Sequence, residues 1–190
     1  MDLGLAGRRA LVGAGASGIG NGIAVALAGE GARVALIGRT AERVEAESSR
    51  LGGVPVVADL STPDGPAGAV ATAVAAMGGL DLLVACTGGP PSGTFESLDE
   101  AAWETAINGT LHSVLRLIRA ALPHLRDGVD PAILIVLSSS VREPIPALVS
   151  SISIRCSVDI RSPGDRDLSS ARSVPGALGI SFFAEHSARQ

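Results

Sequence analysis

Short apolar runs alternate along the chain with longer stretches in which apolar positions recur every three or four residues. The short runs are Arg9 to Val12, Arg33 to Ile37, Val54 to Ala58, Leu80 to Ala85 and Ile133 to Leu137. They are nearly continuously hydrophobic rather than strictly alternating, as strands of a parallel sheet covered on both faces should be. Between them lie helical patterns. The first runs from Asn21 to Ala28, with Ile23, Ala24 and Leu27 apolar, and ends at Gly29 and Gly31. A polar helix follows, begun by Thr40 as cap and running to about Arg50. An alanine-rich helix starts at Ser61, Thr62 and Pro63, runs to Met77 and closes at Gly78-Gly79. Ser97-x-x-Glu100 has capping-box form ahead of a helical region holding Trp103. Leu111, Val114, Leu115, Ile118 and Leu122 then predict a long amphipathic helix broken near Pro123.

The first strand runs into Gly13-x-Gly15-x-x-Gly18, which opens a helix and precedes a second apolar strand. That context makes a glycine-rich turn meaningful. Glycines let the backbone turn sharply and approach a ligand, and the helix start behind them offers free N–H groups and a positive dipole end to a pyrophosphate. The pattern therefore predicts an α/β, Rossmann-type, doubly wound parallel sheet with helices on both faces, a single domain with ligand at the carboxyl ends of the strands. The last strands of such a sheet are missing from the pattern; only Ala177 to Phe183 resembles a further one. About twenty residues past the turn, where an acidic residue would favour NAD, stand Gly38-Arg39-Thr40, a cation and a hydroxyl suited to the 2′-phosphate of NADP. NADP(H) is thus expected in preference to NAD(H).

Composition narrows the partner. A formal charge of −4 over 190 residues, with no cluster of cations, carries no electrostatic footprint for nucleic acid or an anionic membrane. Ala67 to Leu80 is too short to span a bilayer, and no basic leader with a cleavage site opens the chain, so a cytoplasmic location is expected. Cys86 and Cys156 suit neither a disulfide framework nor a zinc site, His124 and His186 sit in no carboxylate cluster, and no metal is expected. Residues 1–150 read as the dinucleotide-binding domain. Residues 151–190 read as a divergent, serine-rich tail, partly disordered: serine occurs seven times in the first 137 residues and ten times in residues 150–190.

Arg8 to Ala24, Asp59, Asp81 to Pro90, Asn108 and the strand ending in Ser138 occur in the order and spacing of the short-chain dehydrogenase/reductase family. Over residues 3 to about 150 the chain resembles the branch of 3-oxoacyl-acyl-carrier-protein reductases. The resemblance implies an oxidoreductase passing hydride between NADPH and a small-molecule carbonyl or alcohol, with pairing of two copies through the helices after the fourth and fifth strands. The family motif Thr-Gly-x-x-x-Gly-x-Gly becomes Gly13-Ala14-Gly15-Ala16-Ser17-Gly18-Ile19-Gly20, with Gly13 and Gly15 expected to supply the flexibility of the replaced first glycine. Asn-Asn-Ala-Gly becomes Ala85-Cys86-Thr87-Gly88. The cofactor residues so implied are Gly13, Gly15, Ser17, Gly18, Ile19, Gly20, Arg39, Asp59, Leu60 and Gly88, with Asp59 on the adenine side.

The implied catalytic set is Asn108, Ser138, Ser151 and Arg155, with Ser139 and Ser140 as close alternatives to Ser138. Asn108-Gly109 reads either as a local helix distortion exposing backbone to water or as a junction between two helices. His112, one turn later, reads as a proton relay or as an ordinary packed histidine. The family's Tyr-x-x-x-Lys falls on Ser151-Ile152-Ser153-Ile154-Arg155, and the chain has no tyrosine or lysine at all. An aliphatic hydroxyl is a far weaker acid than a phenol. The competing reading is therefore a catalytically impaired dinucleotide-binding protein or a truncated product.

Overall fold

The computed structural model describes residues 3–93 and 95–137. Ser138, Ser151, Arg155, Cys156, His186, the tail and the strand expected at Ala177 to Phe183 lie outside the described residues. The described strands are β1 (Arg9–Val12), β2 (Arg33–Gly38), β3 (Val54–Val57), β4 (Leu82–Ala85) and β5 (Ala132–Ile135), all parallel, in the order β3-β2-β1-β4-β5. The order reverses between β1 and β4, so their carboxyl ends diverge and open a crevice there. This is the doubly wound sheet that the hydrophobic pattern predicts.

Period-two alternation sorts each strand between two cores. Leu11, Ala35, Ile37, Leu83, Ala85 and Ile133 face one way, against α3 (Gly65–Met77) and α5 (Ser113–Arg126). Ala10, Val12, Val34, Leu36 and Val84 face the other way, with Ala24, Ile23 and Leu27 of α1 (Gly18–Gly29). Because both faces are covered, neither set needs polar residues between its apolar ones. α2 (Ala41–Leu51) packs on β2 and β3 and ends at Gly52 in the left-handed conformation, as α3 does at Gly78.

The helix boundaries differ from expectation where a local signal has another use. α3 starts at Gly65, not at Ser61: Ser61 and Thr62 instead close a turn on Asp59, with the Thr62 hydroxyl donating to the Asp59 carbonyl and accepting from the Gly65 N–H. Ser97 ends a 3-10 turn, Phe95–Ser97, and the cap of α4 (Glu100–Ile107) is Asp99, whose Oδ1 accepts from the Ala102 N–H at 2.9 Å. Thr40 stands at the cap position of α2 without a side-chain capping bond. Pro123 does not break α5. It lies on the exposed face one turn from the end, while Ala121 and Leu125, both fully buried, anchor that turn; the one backbone bond lost leaves a carbonyl facing water.

Between α4 and α5 the chain forms a π-helical turn, Asn108–His112. Of the two readings of Asn108-Gly109, the distortion is the one observed. Its loosened carbonyls are taken up by hydroxyls: Thr110 donates to Ala106 at 2.6 Å and Ser113 to Gly109 at 2.7 Å.

At the opposite end of the sheet Asp81, 2% exposed, joins three segments. Its carboxylate accepts from the Arg9 N–H and Nε at 2.8 Å, from Arg9 Nη2 at 2.7 Å and from the Val129 N–H at 2.8 Å. Burial alone would raise its pKa; the Arg9 and Val129 donors outweigh burial and hold the carboxyl well below the usual carboxylate range.

Candidate functional site

The loops after β1, β2, β3 and β4 and one face of α4 enclose a cleft of about 420 Å³ at the crevice. Ser17 comes from the glycine-rich turn, Arg39 and Thr40 from the end of β2, Asp59 and Leu60 from the end of β3, and Cys86, Thr87 and Gly88 from the end of β4. Thr105 and Gly109 close it from the helical side. Of the residues singled out from the sequence, Ser17, Arg39, Asp59, Leu60 and Gly88 therefore meet on one cleft. Asn108 stands beside it on the π turn.

The glycines of the turn divide into two kinds. Ser17, Gly18 and Ile19 are exposed together at the start of α1, and Gly18 has φ +58°, with open space where a Cβ would stand. Gly13, Gly15 and Gly20 are buried and serve packing. A Cβ on Gly13 would run into the Cys86 carbonyl oxygen, one on Gly20 into the Ala14 carbonyl, and one on Gly15 would lie 2.9 Å from the Val12 oxygen. The expected compensation by Gly13 and Gly15 does not occur, because neither adopts positive φ. Ala14 itself takes the left-handed conformation, at φ +48°, in place of the glycine of the motif. On either side of it the Gly13 N–H donates to the Val84 carbonyl and the Gly15 N–H to the Ile37 carbonyl, each at 2.9 Å, tying the turn to β4 and β2.

Electrostatics inside the cleft are mixed. Asp59 Oδ1 accepts from the Ser61 hydroxyl at 2.7 Å and the Ser61 N–H at 2.9 Å, and these bonds, with the charge of Arg39, hold the carboxyl below its ordinary value. Arg43 lines the same wall as Arg39, one helical turn on. Among the described residues neither arginine has a carboxylate within ion-pair distance. Burial pushes the Cys86 thiol up, opposed by the Gly20 N–H facing it, so it is a neutral lining group. His112 Nδ1 lies 3.1 Å from Asn108 Oδ1, joining those two side chains along the π turn. Among the described residues no group of three His, Cys, Asp or Glu is placed to hold a metal.

The family model for short chain dehydrogenases matches residues 8–150. The chain belongs to that family. Nodulation protein G of Rhizobium sp. (strain N33) is 36% identical over 117 residues, which cover 60% of this chain and 48% of that protein. L-xylulose reductase of Mus musculus is 34% identical over 142 residues, 74% of this chain and 57% of that one. The chain thus spans about half the length of these curated relatives. Among solved structures, a short chain dehydrogenase from Burkholderia cenocepacia J2315 in complex with NADP superposes with a TM-score of 0.72 at 32% identity, over 77% of this chain and 61% of that one.

As a short chain dehydrogenase, the chain carries the family's doubly wound sheet within the matched residues, and no described helix is long and apolar enough to cross a membrane. Sequence reasoning missed Arg43, Ser61, Thr105 and the side chain of Asn21. Arg43 was accessible in principle: it stands four residues after Arg39, in the first turn of the helix that follows the Thr40 cap. Thr105 was not, since it reaches the cleft only through the placement of α4, and Asn21, outside the cleft lining, meets Glu47 only once α1 and α2 are packed.

Proposed function

We propose that the cleft binds NADP(H) and that the protein is an oxidoreductase passing hydride between this cofactor and a small-molecule carbonyl or alcohol. The observation that carries the cofactor reading is the pair Arg39 and Arg43, two cations lining the cleft after β2 with no carboxylate within ion-pair distance among the described residues. A 2′-phosphate matches that wall, since guanidinium groups meet phosphate oxygens with paired, charge-assisted hydrogen bonds. The donors present fit the rest of the dinucleotide. Exposed Ser17, Gly18 and Ile19 at the head of α1 suit a pyrophosphate, Asp59 and Leu60 form the adenine side, and Gly88 leaves the floor open.

The nicotinamide supplies or accepts the hydride when bound; the remaining work falls to the chain. Asn108 and Ser138 polarise the carbonyl by hydrogen bonding, and Arg155 supplies positive charge near Ser151, which stands where the family carries its acid. A serine hydroxyl gives up its proton poorly near neutral pH, so proton delivery is the slow part of this reading. The NADP-bound Burkholderia neighbour supports the cofactor, and the sugar reductase among the relatives supports a polyol or ketose as substrate class. Fluorescence titration with NADPH and NADH tests the cofactor: tighter binding of NADPH, lost in Arg39→Ala, is expected, and equal affinities would refute it.

A further inference from the structure

Asn21 lies on α1, one turn after the glycine-rich turn, where a helical side chain leans back toward the N-terminus. Its Nδ2 donates to the Gly15 carbonyl at 3.0 Å and to Glu47 Oε2 at 3.1 Å. Both amide hydrogens are thereby used, and the opposite amide orientation would set an oxygen against two acceptors, so the side chain has one workable orientation. Glu47 is held in turn by Arg50, whose Nε and Nη2 donate to the same oxygen at 2.9 and 2.7 Å. The two elements so joined carry the two halves of the proposed grip. Gly15 belongs to the turn whose exposed end faces the pyrophosphate, while Glu47 stands one turn beyond Arg43 on α2. A second contact runs alongside, because Gly38, at the end of β2, leaves room for Val44 of α2, and a Cβ there would lie 2.6 Å from Val44 Cγ2 and 3.5 Å from Ala16 Cβ.

We propose that Asn21 is a positioning residue for cofactor choice: its bridge from Gly15 to Glu47 sets the distance between the pyrophosphate turn and the Arg39–Arg43 wall. This rests on the NADP(H) reading above. A dinucleotide spans a fixed length between its pyrophosphate and its 2′-phosphate. A displaced α2 therefore loses the 2′-phosphate contact while leaving the nicotinamide half of the cofactor alone. Removing the bridge lowers NADPH affinity more than NADH affinity, an effect that a general weakening of the fold would not produce.

The experiment titrates the full chain with NADPH, NADH and adenosine 2′,5′-bisphosphate, with thermal melting to verify folding. Asn21→Ala is expected to lower the NADPH-to-NADH affinity ratio about three- to ten-fold, the scale of one ordinary intramolecular hydrogen bond, and to weaken adenosine 2′,5′-bisphosphate equally. Glu47→Ala, on the outer part of α2, removes only that arm of the bridge and is expected to lower the ratio in the same way should Asn21→Ala fail to fold. Glu47→Gln keeps an acceptor and is expected to retain the ratio. The double variant Asn21→Ala/Glu47→Ala should shift the ratio no further than the larger single change. An unchanged ratio in folded Asn21→Ala or in Glu47→Ala overturns the inference. Failure of the unaltered chain to bind either dinucleotide overturns the cofactor reading instead.

Discussion

Replacing Arg9 by alanine is expected to cost about 3–5 kcal/mol, because it leaves the Asp81 carboxylate buried with its charge uncompensated. The magnitude follows from what Asp81 has around it. Three of its four side-chain hydrogen bonds come from Arg9, two of them from the guanidinium, and the fourth is the Val129 N–H. The substitution strips both guanidinium donors from a carboxylate that is 2% exposed with Arg9 in place. A loss of that size is a large fraction of the roughly 5–15 kcal/mol that holds a domain of this kind together. Urea unfolding followed by circular dichroism measures it, with Arg50→Ala as the control, since Arg50 and Glu47 form a surface pair worth at most about 1 kcal/mol. The pH dependence is a second reading of the same contact. The folded Asp81 carboxyl lies below its ordinary value of 3.8, so below that value the unfolded chain binds the extra proton. The stabilisation is therefore full above about pH 5 and fades as pH falls through 4 and below. Arg9→Ala should flatten this dependence between pH 5 and 3. A loss under about 1 kcal/mol, or an unaltered acid slope, would refute the reasoning.

Ala14→Gly should raise stability by about 0.5–1 kcal/mol in the same urea assay, as relief of the left-handed conformation exceeds the added freedom of the unfolded chain; a lowered midpoint would count against it. Gly13→Ala should be far more damaging than Gly18→Ala, because the first drives a methyl into the Cys86 carbonyl and the second costs only its positive φ, about 1 kcal/mol. Soluble yield and melting temperature separate the two. Arg43→Ala should weaken NADPH binding and leave NADH binding nearly unchanged, by isothermal titration. Turnover of ketones and 3-oxoacyl thioesters, followed by NADPH absorbance, should fall short of a relative bearing tyrosine and lysine by about 10²- to 10⁴-fold, the range that a matched general acid contributes; a fast reaction abolished by Ser151→Ala would instead make that serine an effective acid.

The doubly wound parallel sheet and the placing of a ligand cleft at its strand ends follow from signals local to the chain. Continuous apolar runs such as Arg33 to Ile37 require cover on both faces, and a glycine-rich turn between strand and helix puts its ligand at the strand ends. Arg39 was visible as a candidate cation at the strand ends for the same reason, since its distance from the turn is set along the backbone, and it does line the cleft. Local signals misled where a residue had two possible partners. Thr62 and Ser97 look like helix caps, yet one is used by the Asp59 turn and the other ends a 3-10 turn, while Pro123 is tolerated because Leu125 is buried behind it.

Tertiary structure alone decided which glycines face open space and which make room for neighbouring backbone. Gly13 and Gly18 are the same letter in the motif; only the approach of Cys86 to the one and the open space beside the other distinguish them. The same holds for the polar bridges. Asp81 meets Arg9 across 72 positions and Asn21 meets Glu47 across 26, and nothing in either local pattern specifies the partner. Hydrophobic periodicity acts over a few residues and so is written in the sequence. A hydrogen bond between side chains on separate elements exists only after packing has set those elements a few ångströms apart.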